Sequence, residues 1–228
     1  MDIYWLGHAC FRLRSTNAGL SIITDPYASG VGGLGVQIDP RQMVDAVGVT
    51  VSHDDPMHNS AGEVDGQPRV FDTPGEYEFQ GITIRAVMTP LPEDTPRSKR
   101  NVAFAIALDG INVCHLGNIT QPLTAQQIDL IGPADVVLAP AGGSDHNLLS
   151  YRAINQTAQQ LDARWLIPMH YRAEREPSAV EPEGPETFLR ELGVAEGSLQ
   201  AQGRMQVTRN NLPPSLQVGL MAPQFRTQ

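Results

Sequence analysis

Apolar residues in the first half of this chain come mostly in short runs bounded by turn residues, the length of β-strands rather than of helices. Runs at 3–6, 10–13 and 20–24 predict three strands, split by Gly7-His-Ala9 and by the polar stretch 15–19. The third is stopped by Asp25-Pro26. A glycine-rich stretch at 29–35 lacks the spacing of a dinucleotide fingerprint and reads as a surface loop. A short helix is expected over 40–46, leading into an apolar run (Val47, Val49, Val51) that ends at His53. Strands follow at 69–71, 77–79 and 82–87, with turn signals at 73–75 and 80–81. The proline-rich segment 90–100 reads as an exposed loop. Segments 101–108 and 111–116 then form a hairpin across Asp109-Gly110, the strongest short turn signal present.

Beyond residue 120 the rhythm changes to alternating helix and strand. Thr124 is placed to cap a helix over 124–130, and 134–139 is a buried strand. Leu149, Ala153, Ile154, Thr157, Ala158 and Leu161 recur at helical spacing, which predicts a helix over 148–161. A strand at 164–167, a short helix at 185–192 closed by Gly193, and weak strands at 204–208 and 216–221 complete the chain. No linker tract or internal repeat interrupts this order. The expectation is one domain over residues 1–228, two sheets flanked by helices.

Composition narrows the setting. The 228 residues are 41% hydrophobic and 18% charged, ordinary for a soluble globular protein and ample for a layered core. A net charge of −9 without a Lys/Arg-rich run argues against nucleic acid or an anionic membrane as partner. Neither a signal-peptide pattern nor a membrane-length apolar window is visible, so a cytoplasmic location is expected. Cys10 and Cys114 both lie in strand-like runs and read as buried free thiols, with a disulfide left open.

The candidate chemistry sits where strands end. Val49-Thr-Val-Ser-His-Asp-Asp-Pro-Met-His-Asn59 is an apolar run that empties into His53, Asp54, Asp55 and His58, as metal sites on α/β scaffolds often do. The plainer alternative is a solvated turn built on Asp-Asp-Pro. The other histidines (His8, His115, His146 and His170) also follow strand ends or lie in the loops beyond them. Strand ends of a packed α/β domain converge on one rim, so a shared site is expected.

Several motifs then resemble one family: Trp5-Leu-Gly-His-Ala-Cys-Phe11, Ile23-Thr-Asp-Pro-Tyr27, the His53–His58 segment, Pro74-Gly-Glu-Tyr-Glu78, Val113-Cys-His-Leu-Gly-Asn118, Val137-Leu-Ala-Pro-Ala-Gly-Gly143 and Ile167-Pro-Met-His-Tyr171. Together they resemble the metallo-β-lactamase superfamily, in particular its small lactonase-like hydrolases. The resemblance implies an αββα four-layer sandwich, with metal ions at the rim that activate water to hydrolyse esters, lactones, amides or phosphodiesters. The family pattern His-x-His-x-Asp-His is altered here: Asp55 stands for the second histidine and Met57 for the aspartate, while Asn118 replaces a bridging aspartate. Carried over, one metal site is His53, Asp55 and His115; the other, Met57, His58 and His170, is weakened by the thioether. Asn118 offers a neutral carbonyl oxygen in place of the charged bridge.

One metal rather than two is therefore expected. Zinc is the first expectation, iron or manganese the alternatives, and a metal-free protein the last. Asp25 is expected to orient a ligand histidine. His8 and His146 are expected on the rim. The functional expectation is a metal-dependent hydrolase acting on a small ester, lactone or phosphate-bearing substrate. Its alternatives are a non-catalytic relative that binds a ligand or partner, and an iron(II) redox protein. Homo-oligomerisation stays open.

Overall fold

The computed structural model describes residues 1–30, 36–89, 100–141, 149–171, 184–195 and 197–227. His146 and most of the two stretches read as loops, 31–35 and 90–99, lie outside the described residues.

Two mixed sheets carry the architecture. In the first, β1 (Asp2–Gly7), β2 (Cys10–Arg14) and β3 (Ser21–Thr24) form an antiparallel meander, and β5 (Ala46–Thr50) and β6 (Arg69–Phe71) add in parallel. β13 (Met205–Gln206) closes the other edge by pairing antiparallel with β1. In the second sheet, β7 (Gly75–Phe79), β8 (Ile82–Met88), β9 (Val102–Leu108) and β10 (Ile111–His115) are antiparallel. From β10 the sheet continues in parallel through β11 (Val136–Pro140), β12 (Trp165–Met169) and β14 (Gln217–Val218). The predicted Asp109-Gly110 hairpin is the β9–β10 turn, with Asp109 at φ 53° and Gly110 at φ 73°, as a tight hairpin of this kind requires.

Side-chain alternation explains why the sheets stack. On β2 and β3, Phe11, Leu13 and Ile22 join the large core with Phe104, Val113 and Leu138 of the second sheet. Their neighbours Cys10 and Ile23 belong instead to a second cluster with Leu6, Tyr27, Ile38 and Val49. The first sheet is thus covered on both faces. Both cysteines are buried and free, and burial pushes each thiol upward, Cys114 to about 12, which leaves them inert packing groups.

The two outer layers differ. Helix α1 (Ala125–Ile131) lies over β8 and β9 and starts in a capping box, Thr124 and Gln127 each bonding the other's backbone N–H. Helix α2 (Tyr151–Gln160), capped by the Ser150 side chain, buries Ile154, Thr157 and Ala158 and meets α3 (Glu186–Glu191). On the other side, the described residues contain no α-helix. Cover there comes from 3-10 turns at Pro40–Gln42 and Ala61–Glu63 and from a ribbon of β4 (Val36–Ile38) with β15 (Phe225–Thr227). The helix expected over 40–46 stops after one turn, because Asp45 takes a left-handed φ of 65° and turns the chain into β5.

Backbone hydrogen bonds stitch the sheets together at the end where the strands deliver their histidines. His170 N–H, just past β12, donates to His8 O at 3.2 Å, and Val102 N–H donates to Ser52 O at 2.8 Å. The His8 carbonyl also receives the Trp5 indole N–H at 3.0 Å. These bonds hold four chain segments from two sheets in one rim.

Candidate metal centre

Four imidazoles meet at this rim. The ring centroids of His8 and His170 are 4.0 Å apart, those of His53 and His58 also 4.0 Å, and those of His8 and His58 4.7 Å. His8, His58 and His170 are all buried, and each offers one ring nitrogen so that the three lie within 4.8 Å of one another. The His8 and His58 Nε2 atoms are 3.1 Å apart.

Asp25 stands behind this group, fully buried. Its Oδ1 accepts the Ser52 N–H at 2.7 Å, and its Oδ2 accepts both the Ser52 hydroxyl (2.5 Å) and His58 Nδ1–H (2.8 Å). A carboxylate on Nδ1 fixes the His58 tautomer and leaves its Nε2 lone pair pointing away from Asp25. Asp25, expected to orient a ligand histidine, is bonded to His58 in this structure.

Backbone conformation marks the same residues. His8, Asp25 and His170 hold φ of 49°, 39° and 59°, a region that non-glycine residues seldom adopt and that is found at functional sites when surrounding packing enforces it. Each directly follows a strand, so the chain leaves the sheet at once and the side chain turns into the rim. Gly117, φ 59°, allows the 115–118 loop to press on the same place. A Cβ there would fall 2.6 Å from Ser52 Cβ and would meet Asn101 Oδ1.

Burial favours the neutral form of three of these imidazoles. Burial, reinforced by the neighbouring histidines, holds His58 and His170 well below the ordinary histidine range. His53 is also lowered, again mainly by burial, with Asp25 and Asp55 opposing. Neutral imidazole is the form that ligates a metal.

The expected ligands do not all arrive. His115 stands outside the group: its Nε2–H donates to Ala9 O at 2.9 Å, and its Nδ1 accepts Gly117 N–H at 3.2 Å. With both ring nitrogens bonded within the chain, it is a satisfied core histidine in this structure, apart from the expected trio of His53, Asp55 and His115. Asp55 is half-buried, and its Oδ1 caps its own turn by accepting the Met57 N–H at 2.9 Å. Met57 packs against the outer apolar cluster. Asn118 gives its N–H to Asn101 Oδ1, while its own Oδ1 is buried and unpartnered. His8, expected only on the rim, is inside the group. Ser52 went unnoticed in the sequence, where nothing marks a serine after valine as part of a site.

The donor set suits a divalent ion. His170 Nε2 is buried with no hydrogen-bond partner, an expense that proteins avoid unless something else occupies the atom. Three or four imidazole nitrogens match zinc, which binds nitrogen at about 2.0–2.1 Å in tetrahedral geometry. Nitrogens sharing such an ion sit a little over 3 Å apart, as His8 and His58 do. Size of cavity is no guide to this site. A groove of about 700 Å³ between α1 and β7–β8 is lined by residues such as Glu76, Arg85, Gln127 and Leu130, with no histidine among them.

Fold and rim together define a class. The sequence pattern of the beta-lactamase superfamily domain matches residues 2–170, and the chain belongs to that superfamily, as the sequence motifs implied. Among particular relatives, it is 30% identical over 194 residues to a UPF0173 metal-dependent hydrolase of Methanoculleus marisnigri, covering 75% of this chain and 81% of that protein. A UPF0173 metal-dependent hydrolase of Pyrococcus furiosus is 26% identical over 208 residues, covering 80% and 89%. In structure the chain is similar to a Thermotoga maritima protein described as a Zn-dependent hydrolase of the metallo-beta-lactamase superfamily. The TM-score is 0.71 at 30% identity, covering 96% of this chain and 97% of the other.

Proposed function

We propose that this chain is a metal-dependent hydrolase with one divalent ion, zinc first among the choices, held by His8, His58 and His170 and flanked by His53. The observation that carries the reading is the buried trio of imidazoles, one of them, His170, with an unpartnered Nε2. Its relatives' descriptions as metal-dependent and Zn-dependent hydrolases support the reaction class. The substrate is proposed to be a small ester, lactone or phosphate-bearing molecule, and the whole chain to act as one domain.

A divalent ion in this set supplies Lewis-acid chemistry, polarising a carbonyl or phosphoryl oxygen and acidifying water. The chain's own part is positional. Asp25 keeps His58 in the Nδ1–H form, so that its Nε2 lone pair faces the other rings. Trp5 and His170 N–H hold the His8 carbonyl and fix where that imidazole starts. An all-imidazole set brings no charge of its own; buried Asp25 behind it, with Asp55 and Asp54 beside His53, supplies the negative charge that would face a bound cation.

Elemental analysis of the untagged protein tests the reading, beside His170→Ala and a screen of ester, lactone and phosphodiester hydrolysis. About one metal per chain, lost in His170→Ala together with turnover, is the expected result. Protein that stays metal-free after incubation with zinc, manganese and iron(II) overturns it.

A further inference from the structure

Ser52 connects Asp25 to a second histidine. Its Oγ lies 2.5 Å from Asp25 Oδ2 and 3.1 Å from His53 Nδ1, and the residue is buried. The directions of these bonds follow from proton count. A carboxylate oxygen only accepts, so the single hydroxyl proton of Ser52 goes to Asp25. Ser52 Oγ is then left with lone pairs alone on its His53 side, and His53 must donate through Nδ1–H. A neutral imidazole with its proton on Nδ1 has its lone pair on Nε2.

We infer that Ser52 is a positioning residue: it relays Asp25 to His53 and locks that ring in the Nδ1–H form. One buried carboxylate thereby sets two imidazoles alike, His58 directly and His53 through the hydroxyl, so that both turn an Nε2 lone pair outward. The role is built into the backbone as well. Ser52 N–H is tied to Asp25 Oδ1, Ser52 O receives Val102 N–H from the other sheet, and Gly117 packs against its Cβ. The hydroxyl has little freedom to turn elsewhere. For metal binding, the inference rests on the proposed metal centre; for the tautomer itself it does not.

The test therefore begins with metal-free protein. Two-bond ¹H–¹⁵N spectra of histidine-labelled protein report which ring nitrogen carries the proton. Wild type is expected to show His53 as the Nδ1–H tautomer, Ser52→Ala to move it toward the Nε2–H form preferred in water, and Ser52→Thr to restore it. His58, bonded to Asp25 directly, is expected to keep Nδ1–H in all three and serves as the control for an intact site. Zinc titration then follows: with His53 completing the set as a fourth donor beside the trio, Ser52→Ala is expected to bind about 10–100-fold more weakly, the usual cost of losing a partner that orients a ligand, and Ser52→Thr within a few-fold of wild type. Wild-type His53 found as Nε2–H, or unchanged in Ser52→Ala, overturns the relay whether or not the protein takes up metal. Should Ser52→Ala not fold, the wild-type spectrum alone decides. A normal tautomer response with no zinc bound by any form leaves the relay standing and refutes the metal reading instead.

Discussion

His115 and His170 invite direct comparison. Both are buried, both mark the ends of strands in the same sheet, and only β11 separates their strands. Yet His115 uses both ring nitrogens, on Ala9 O and Gly117 N–H, whereas His170 leaves Nε2 without a partner and bends its backbone to φ 59° to enter the cluster. Place in the fold does not separate a structural histidine from a candidate ligand. What separates them is whether the ring's hydrogen bonds are already complete, since a buried polar atom left empty costs free energy that only another occupant recovers.

The largest effect that would break this comparison is on metal content. His170→Ala is expected to lower zinc affinity more than ~100-fold, read by titration, because it removes a ligand rather than an orienting partner. Its metal-free form should lose less stability than His115→Ala, since the cavity is partly offset by removal of an unsatisfied buried atom. His115→Ala is expected to do the reverse: metal content unchanged and stability to urea lowered by about 3 kcal/mol, from a cavity and an orphaned Gly117 N–H. If His115→Ala strips the metal, the distinction drawn here fails.

Asp25→Asn falls between the two. An amide cannot accept from all three donors, so zinc binding is expected to weaken ~10–100-fold and stability to fall by about 3 kcal/mol, measured on one preparation. Acid provides a gentler probe. His58 and His170 bind protons less readily folded than unfolded, so the unfolded state takes up more protons below the ordinary histidine pKa of about 6.5. Their contribution is complete above that pH and is lost as pH falls below it. The melting temperature of the metal-free protein should therefore drop from pH 7 toward pH 5, and His170→Ala should flatten that slope. The smallest effect belongs far from the rim: Thr124→Ala removes the α1 cap and should cost about 1 kcal/mol with no change in metal content.

Much of the scaffold was legible in the sequence for identifiable reasons. Short apolar runs bounded by turn signals gave β8, β9 and β10, Asp109-Gly110 fixed the β9–β10 hairpin, Thr124 began α1 where a cap belongs, and apolar residues at helical spacing gave α2. The β4–β15 ribbon was not, because three-residue strands paired across the chain leave no local period. The site divides in the same way. Histidines after strands were visible one at a time, and Asp25 through its place before proline. Which of them share a centre was set by bonds between sheets, such as His170 N–H to His8 O, and these leave no trace in local spacing. His115 carries the family motif, yet both its nitrogens are bonded within the chain, a detail that no motif reveals.

The way β1 is enclosed bears on how the protein is made. Asp2 pairs with Gln206, Trp5 O receives Gln224 N–H, and the Phe225 ring packs where Gly7 has no side chain. The surroundings of His8 therefore depend on residues some two hundred positions later, and contacts of such long range form slowly and late. During synthesis, the early strands must wait beyond the ribosome with their edges open until the last of these partners emerges. A pause or premature stop after residue 200 would leave most of both sheets translated and β1 without the late partners that enclose it.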